Sequence, residues 1–138
     1  MATKVKYLVD TNVWLERLLD QEKSEIVSKF PDLVPANQLF VTDFAIHSIG
    51  VILSRLKKFE TLKMFLDDIF INGQIEQLIL EPIDLIDVLD NIVKFGLDFD
   101  DSYQYTASEK FDLTLVTFDN DFNVKGIKKI TPQQVVEK

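Results

Sequence analysis

Cysteine is absent from the 138 residues, and histidine occurs once, as His47. The first absence excludes disulfides and thiolate metal sites, and the second excludes a zinc site built from several imidazoles. Any metal must then be held by oxygen, which favours Mg2+ or Mn2+ over Zn2+. Basic residues are scarce too. Fifteen lysines and arginines stand against 23 acids, a formal charge of −8. A nucleic-acid surface normally carries the opposite sign, so charge alone argues against such a partner. It leaves room for an enzyme that holds a polyanion through bound cations and a local basic patch. Arg55, Lys57 and Lys58 lie together and Lys128 adjoins Lys129, but each set reads as solvated surface charge. No apolar run approaches a membrane span. The residues before Asp10 are too few for a signal peptide, so a cytoplasmic location without membrane contact is expected.

What remains is an ordinary globular composition, 46% hydrophobic and 28% charged. The length suits one domain over residues 1–138, able to bury roughly two-thirds of its unfolded surface. The chain shows no repeat, low-complexity tract or linker.

The stretch from Tyr7 to Leu15 organises the rest. Val5 to Val9 alternates towards a short apolar run that reads as a buried strand and stops at a carboxylate, Asp10. Thr11 and Asn12 offer N-cap side chains for a helix through Val13, Trp14, Leu15, Leu18 and Leu19. Asp10 has two readings here. It caps the helix, or it sits at the carboxyl edge of a parallel sheet, where ligands gather.

Further strands are expected at 39–42, 77–80, 113–117 and 127–130. Helices are expected at 24–30, 44–56, 59–70 and 85–95, then from the Leu97–Ser102 stretch to Lys110, and after Thr131-Pro132. Thr42 or Asp43 can cap the helix at 44–56, Gly50 inside it suggests close packing, and Gly96 suits a helix C-terminus. Crossovers this long imply a mainly parallel sheet covered on both faces, a three-layer α/β/α sandwich of the α/β class.

Two strands end in acids, at Asp10 and Asp119, and a helix opens on a cluster containing Asp98, Asp100 and Asp101. Acids in a first helical turn suit its dipole, which is the ordinary explanation of that cluster. If the groups meet, two carboxylates about 4 Å apart repel by roughly 4 kcal/mol at a dielectric near 20. Such a cluster is either partly protonated or neutralised by a divalent cation.

Asp10-Thr11-Asn12 after a strand, Phe99-Asp100-Asp101-Ser102 opening a late helix, and Leu115-Val116-Thr117-Phe118-Asp119 closing a strand together resemble the PIN domain. The order and spacing match from Tyr7 to about Val135. The resemblance implies an α/β/α, Mg2+- or Mn2+-dependent ribonuclease, similar to the VapC-like toxins of toxin–antitoxin pairs. It carries Asp10, Asp101 and Asp119 over as catalytic, metal-binding acids and Asn12 as a supporting polar residue. It also implies an RNA substrate, a small antitoxin partner and a homodimer.

One position departs from the pattern. Ser48, in Ala45-Ile46-His47-Ser48-Ile49, stands where the family usually has a glutamate. Asp121 and Asp98 are candidates to supply the missing charge, though capping and solvation explain both equally well. His47 points about 100° away from Ser48 on an ideal helix and reads as a structural or surface residue. Trp14 and Phe118 read as core. Losing one carboxylate also admits a second function, a catalytically weakened module that binds or regulates.

Overall fold

The computed structural model describes residues 5–19, 34–73, 75–123 and 126–136. The expected helix at 24–30 and Pro31 lie outside the described residues. Five strands, β1 (Tyr7–Val9), β2 (Leu39–Thr42), β3 (Glu76–Leu78), β4 (Thr114–Val116) and β5 (Lys129–Ile130), form one sheet. Every pairing is parallel, and the order is β3-β2-β1-β4-β5. The described helices are α1 (Thr11–Leu18), α2 (Asp43–Arg55), α3 (Phe59–Leu66), α4 (Asp84–Phe95), α5 (Phe99–Lys110) and α6 (Pro132–Val136). A wider π-type turn over Asp67–Asn72 extends α3.

The strands divide the core by their period of two. Tyr7, Val9, Leu39, Val41 and Val116 face one layer, with Val13 and Trp14 of α1, Ala45, Ile49 and Leu53 of α2, and Phe65 of α3. Leu8, Phe40, Leu78 and Leu115 face the other, with Val88 of α4 and Tyr103, Tyr105 and Ala107 of α5. Both faces of the sheet are therefore buried along β1, β2 and β4, as their apolar runs require, whereas edge strand β3 leaves Glu76 and Gln77 exposed. Each fully buried leucine or valine, such as Leu8, Leu115 and Val9, contributes about 1.5–3 kcal/mol.

Several local expectations are met. Thr42 caps α2 by accepting from the Ala45 amide at 3.0 Å. Gly96 ends α4 at φ 68°, in the left-handed region. Thr131 and Gln134 form a reciprocal cap at the start of α6. Trp14 is buried, its ring edge-on to Phe65 at 5.6 Å, and Phe118 packs against the same core.

Three details differ. Thr11 and Asn12 do not cap α1; Asp10 does, in line with its capping reading, and its carboxylate accepts from the Thr11 amide at 2.8 Å. Gly50 is not a close-packing site, since a Cβ there would meet nothing within 4 Å. The third strand lies one residue earlier and ends at Leu78. On α4 the buried positions are Val88 and Asn91, whereas Leu89 and Val93 are 58% and 86% exposed. Helical periodicity reveals an apolar face but not what that face meets.

Candidate functional site

The register of β1 and β4 builds the site. Val9 pairs with Val116, and the Asp10 amide donates to the Val116 carbonyl at 2.9 Å. Asp10 and Thr117 are therefore the first residues past the two strand ends, side by side. Strand order reverses between β1 and β4, which leaves a crevice at their carboxyl ends. A cleft of about 270 Å3 opens there, and Asp10, Asn12, Ser48, Asp100, Asp101, Gln104 and Asp119 line it. A larger cavity of about 430 Å3 lies elsewhere, against Trp14, Phe65 and Ile69. Asp68 is the one carboxylate on its described wall, so the acid chemistry belongs to the smaller cleft.

Asp10 is buried, with 6% of its surface exposed, and three donors hold its carboxylate. Oδ1 accepts from the Thr11 amide at 2.8 Å and from Gln104 Nε2 at 2.9 Å, and Oδ2 accepts from Thr117 Oγ1 at 2.8 Å. Burial pushes its pKa up against the opposing pull of these bonds, and the nearby Asp119 charge adds to the rise. Thr117 is saturated in turn, accepting from Asn12 Nδ2 at 3.3 Å and from the Asp119 amide at 3.0 Å. Asn12 Oδ1 accepts from the Phe118 amide at 3.2 Å. Freed from capping, Asn12 thus ties α1 to the segment carrying Asp119.

Asp101 enters from α5. Asp98 caps that helix through the Asp101 amide at 2.8 Å, which turns the first-turn acids towards the sheet edge. The Asp101 carboxyl is pushed up to about 8 by burial, then by the charges of Asp119, Asp98 and Asp10 and by a hydrogen bond shared with Asp119. Asp119 accepts from the Asp121 amide at 2.8 Å and starts a short turn over Asn120–Phe122. Asp101, Asp119 and Asp121 each bring a carboxylate oxygen within 4.8 Å of the others.

The sequence model of one family, described as the PIN domain, matches residues 7–128. The chain belongs to the PIN domain family. Structures with the same fold include a toxin–antitoxin complex from Klebsiella pneumoniae, 16% identical over 92% of this chain and 98% of that one, with a TM-score of 0.72. VapC20 of Mycobacterium tuberculosis, a Sarcin-Ricin loop cleaving toxin, matches at TM-score 0.76 and 12% identity, over 91% of this chain and 98% of that one. VapBC2 of Rickettsia felis, bound to a promoter DNA fragment, matches at 0.69 and 17%, over 92% and 98%. A comparison with curated proteins returns no match.

PIN domains are nucleases that generally use a divalent metal, and the donor set in this PIN domain fits one. Its carboxylate oxygens are hard ligands, and the Asp101 carboxyl is pushed up to about 8 by burial and then by neighbouring negative charge, which a cation would offset. The structure brings Asp10, Asn12, Asp101 and Asp119 to one cleft and sets Asp121 beside two of them. Asp98 serves as a helix cap whose charge acts on Asp101. His47 is exposed, and Ser48 lines the cleft.

Sequence reading assigns Thr117 and Asp100 no role of their own at the site, and Gln104 goes unnoticed. Gln104 lies one helical turn after Asp101, so spacing alone puts it on the same side of α5. Nothing local signals that its amide reaches Asp10 or that Thr42 Oγ1 donates to its Oε1 at 2.6 Å.

Proposed function

We propose that this PIN domain is a Mg2+- or Mn2+-dependent endoribonuclease of the toxin type, acting in the cytoplasm and held in check by a small antitoxin. The observation that carries this reading is the convergence of Asp101, Asp119 and Asp121 on one point beside buried Asp10. Asp101 and Asp119 would hold the cation together with Asp10, and Asp121 would add a fourth carboxylate from the rim. A bound Mg2+ or Mn2+ would polarise the phosphodiester and generate the attacking hydroxide from water. Burial and then its acidic neighbours push the Asp101 carboxyl up to about 8, and a bound cation would favour its ionised form. Asn12 and Thr117 fix the strand ends so that the acids keep their spacing.

The similarity to a chain of a toxin–antitoxin complex supports an antitoxin partner. A chain of charge −8 favours an inhibitor that approaches the acids with arginine or lysine. A homodimer through the outer face of α4 agrees with the apolar side chains left in water there, Ile83, Ile86, Leu89 and Val93.

Ser48 favours a second reading, a binding or regulatory module with weakened turnover, because the residue in the family's glutamate position faces this cleft with only a hydroxyl. An RNA cleavage assay with and without Mg2+ or Mn2+ separates the two. Metal-dependent cleavage that disappears in Asp10→Asn and Asp119→Asn supports the enzyme. Cleavage unchanged in both variants refutes this site, and no cleavage by folded, metal-loaded wild type favours the module.

A further inference from the structure

The Gln104 side chain is 2% exposed and touches none of the cleft's carboxylates except Asp10 among the described hydrogen bonds. Its amide is oriented from both ends. Thr42 Oγ1 accepts from the Ala45 amide as the cap of α2, which leaves its proton to be given to Gln104 Oε1 at 2.6 Å. That fixes Nε2 towards Asp10 Oδ1, the orientation an ionised carboxylate demands. An ionised carboxylate has about four lone-pair directions, two on each oxygen. Thr11 N and Gln104 Nε2 fill both on Oδ1, and Thr117 Oγ1 takes one on Oδ2. A single direction, on Oδ2, remains for a cation.

We infer that Gln104 is a positioning residue of the acidic centre, which blocks Asp10 Oδ1 and so makes Asp10 a one-oxygen ligand through Oδ2. The inference rests on the metal-dependent reading given above. Gln104 also joins three elements at one atom pair. The end of β2 and the start of α2 act through Thr42, α5 carries the glutamine, and β1 ends at Asp10. A shift of α5 that moves Asp101 therefore pulls on Asp10 as well, so the acids keep a common frame.

Mn2+ binding followed by electron paramagnetic resonance tests this without RNA. The set is wild type, Gln104→Met, Asp10→Asn and the double variant, each checked for folding by circular dichroism. Gln104→Met should bind Mn2+ about 10-fold more weakly, the range seen when a partner of a metal ligand is removed. In the Asp10→Asn background the same substitution should change affinity little, because its effect passes through Asp10. Equal or tighter binding by folded Gln104→Met overturns the inference, and so does an equal loss in both backgrounds. Should Gln104→Met fail to fold, the side-chain amide resonances of Gln104 in wild type give the answer. They should move on Mg2+ titration with the midpoint of the Asp101 amide, and resonances that stay fixed at saturation overturn the proposal. Wild type that takes up no Mn2+ at all refutes the metal-dependent reading itself, whereas wild-type binding with an indifferent Gln104→Met refutes only the role of Gln104.

Discussion

Asp101→Asn tests the electrostatics of the cluster through stability alone. In metal-free protein the Asp101 carboxyl is raised from 3.8 to about 8, by burial first and then by Asp119, Asp98 and Asp10. The folded chain thus keeps a proton that the unfolded chain releases above about pH 4. This group's contribution is fully present below pH 3.8 and is lost as pH climbs towards 8. With full shielding the loss by pH 7.5 would be about 5 kcal/mol. Asp101 is only half-buried, and solvent screening cuts this to roughly 1–2 kcal/mol. For a domain of this size that is about 3–8 °C in Tm. Asparagine keeps the shape and cannot ionise. In EDTA, Asp101→Asn should therefore melt above wild type at pH 7.5, with the gap closing towards pH 4. Saturating Mg2+ should raise wild type and narrow the gap. Thermal melts by circular dichroism across this pH range, with and without Mg2+, provide the measurement. A gap independent of pH would refute the reasoning, because it would mean that Asp101 does not feel its acidic neighbours.

Ser48→Glu should tighten Mg2+ or Mn2+ binding by calorimetry and lower Tm in EDTA, and the gain should vanish with Asp10→Asn; a flat response in both assays would place position 48 away from the acids. Thr117→Val strips the Oδ2 donor from buried Asp10 and breaks the link to Asn12, so urea denaturation should register a loss of about 2 kcal/mol. Gly96→Ala meets no steric neighbour, so its cost of about 1 kcal/mol should come from the positive φ alone. Leu89→Lys puts a charge into the exposed stripe of α4 and should give a monomer by light scattering without changing Tm of the monomer; an unaltered dimer would move the interface elsewhere.

The parts of this molecule that could be read in the sequence are those encoded locally. Val5–Asp10 and Leu113–Asp119 each show a strand stopping at an acid, and parallel pairing then aligns the two ends without further information. Thr42, Gly96 and Thr131-Pro132 announce their helix boundaries through backbone chemistry within a few residues. What could not be read depends on partners distant in sequence. Gln104 reaches Asp10 across 94 positions and Thr117 does so across 107, and neither bond leaves a periodic trace. Asn12 was expected to cap a helix because its type favours that role. In the fold Asp10 takes the cap and Asn12 serves the neighbouring strand. The apolar stripe of α4 faces outward, because Asn91 and the Val88 carbonyl on its opposite side make the polar contacts to Thr106 and the Ser102 hydroxyl of α5.

Those polar contacts make α5 an indexed shaft. Ser102 Oγ donates to the Val88 carbonyl, Asn91 Nδ2 donates to Thr106 Oγ1, the Tyr103 hydroxyl donates to Asp43, and Gln104 holds Asp10. A greasy helix can roll through tens of degrees and repack at modest cost. This one cannot, since a one-residue roll of about 100° would unseat all four bonds together. The azimuth of Asp101 is therefore cut into the buried flank of α5, and sequence drift on the outer flank of α4 leaves it untouched.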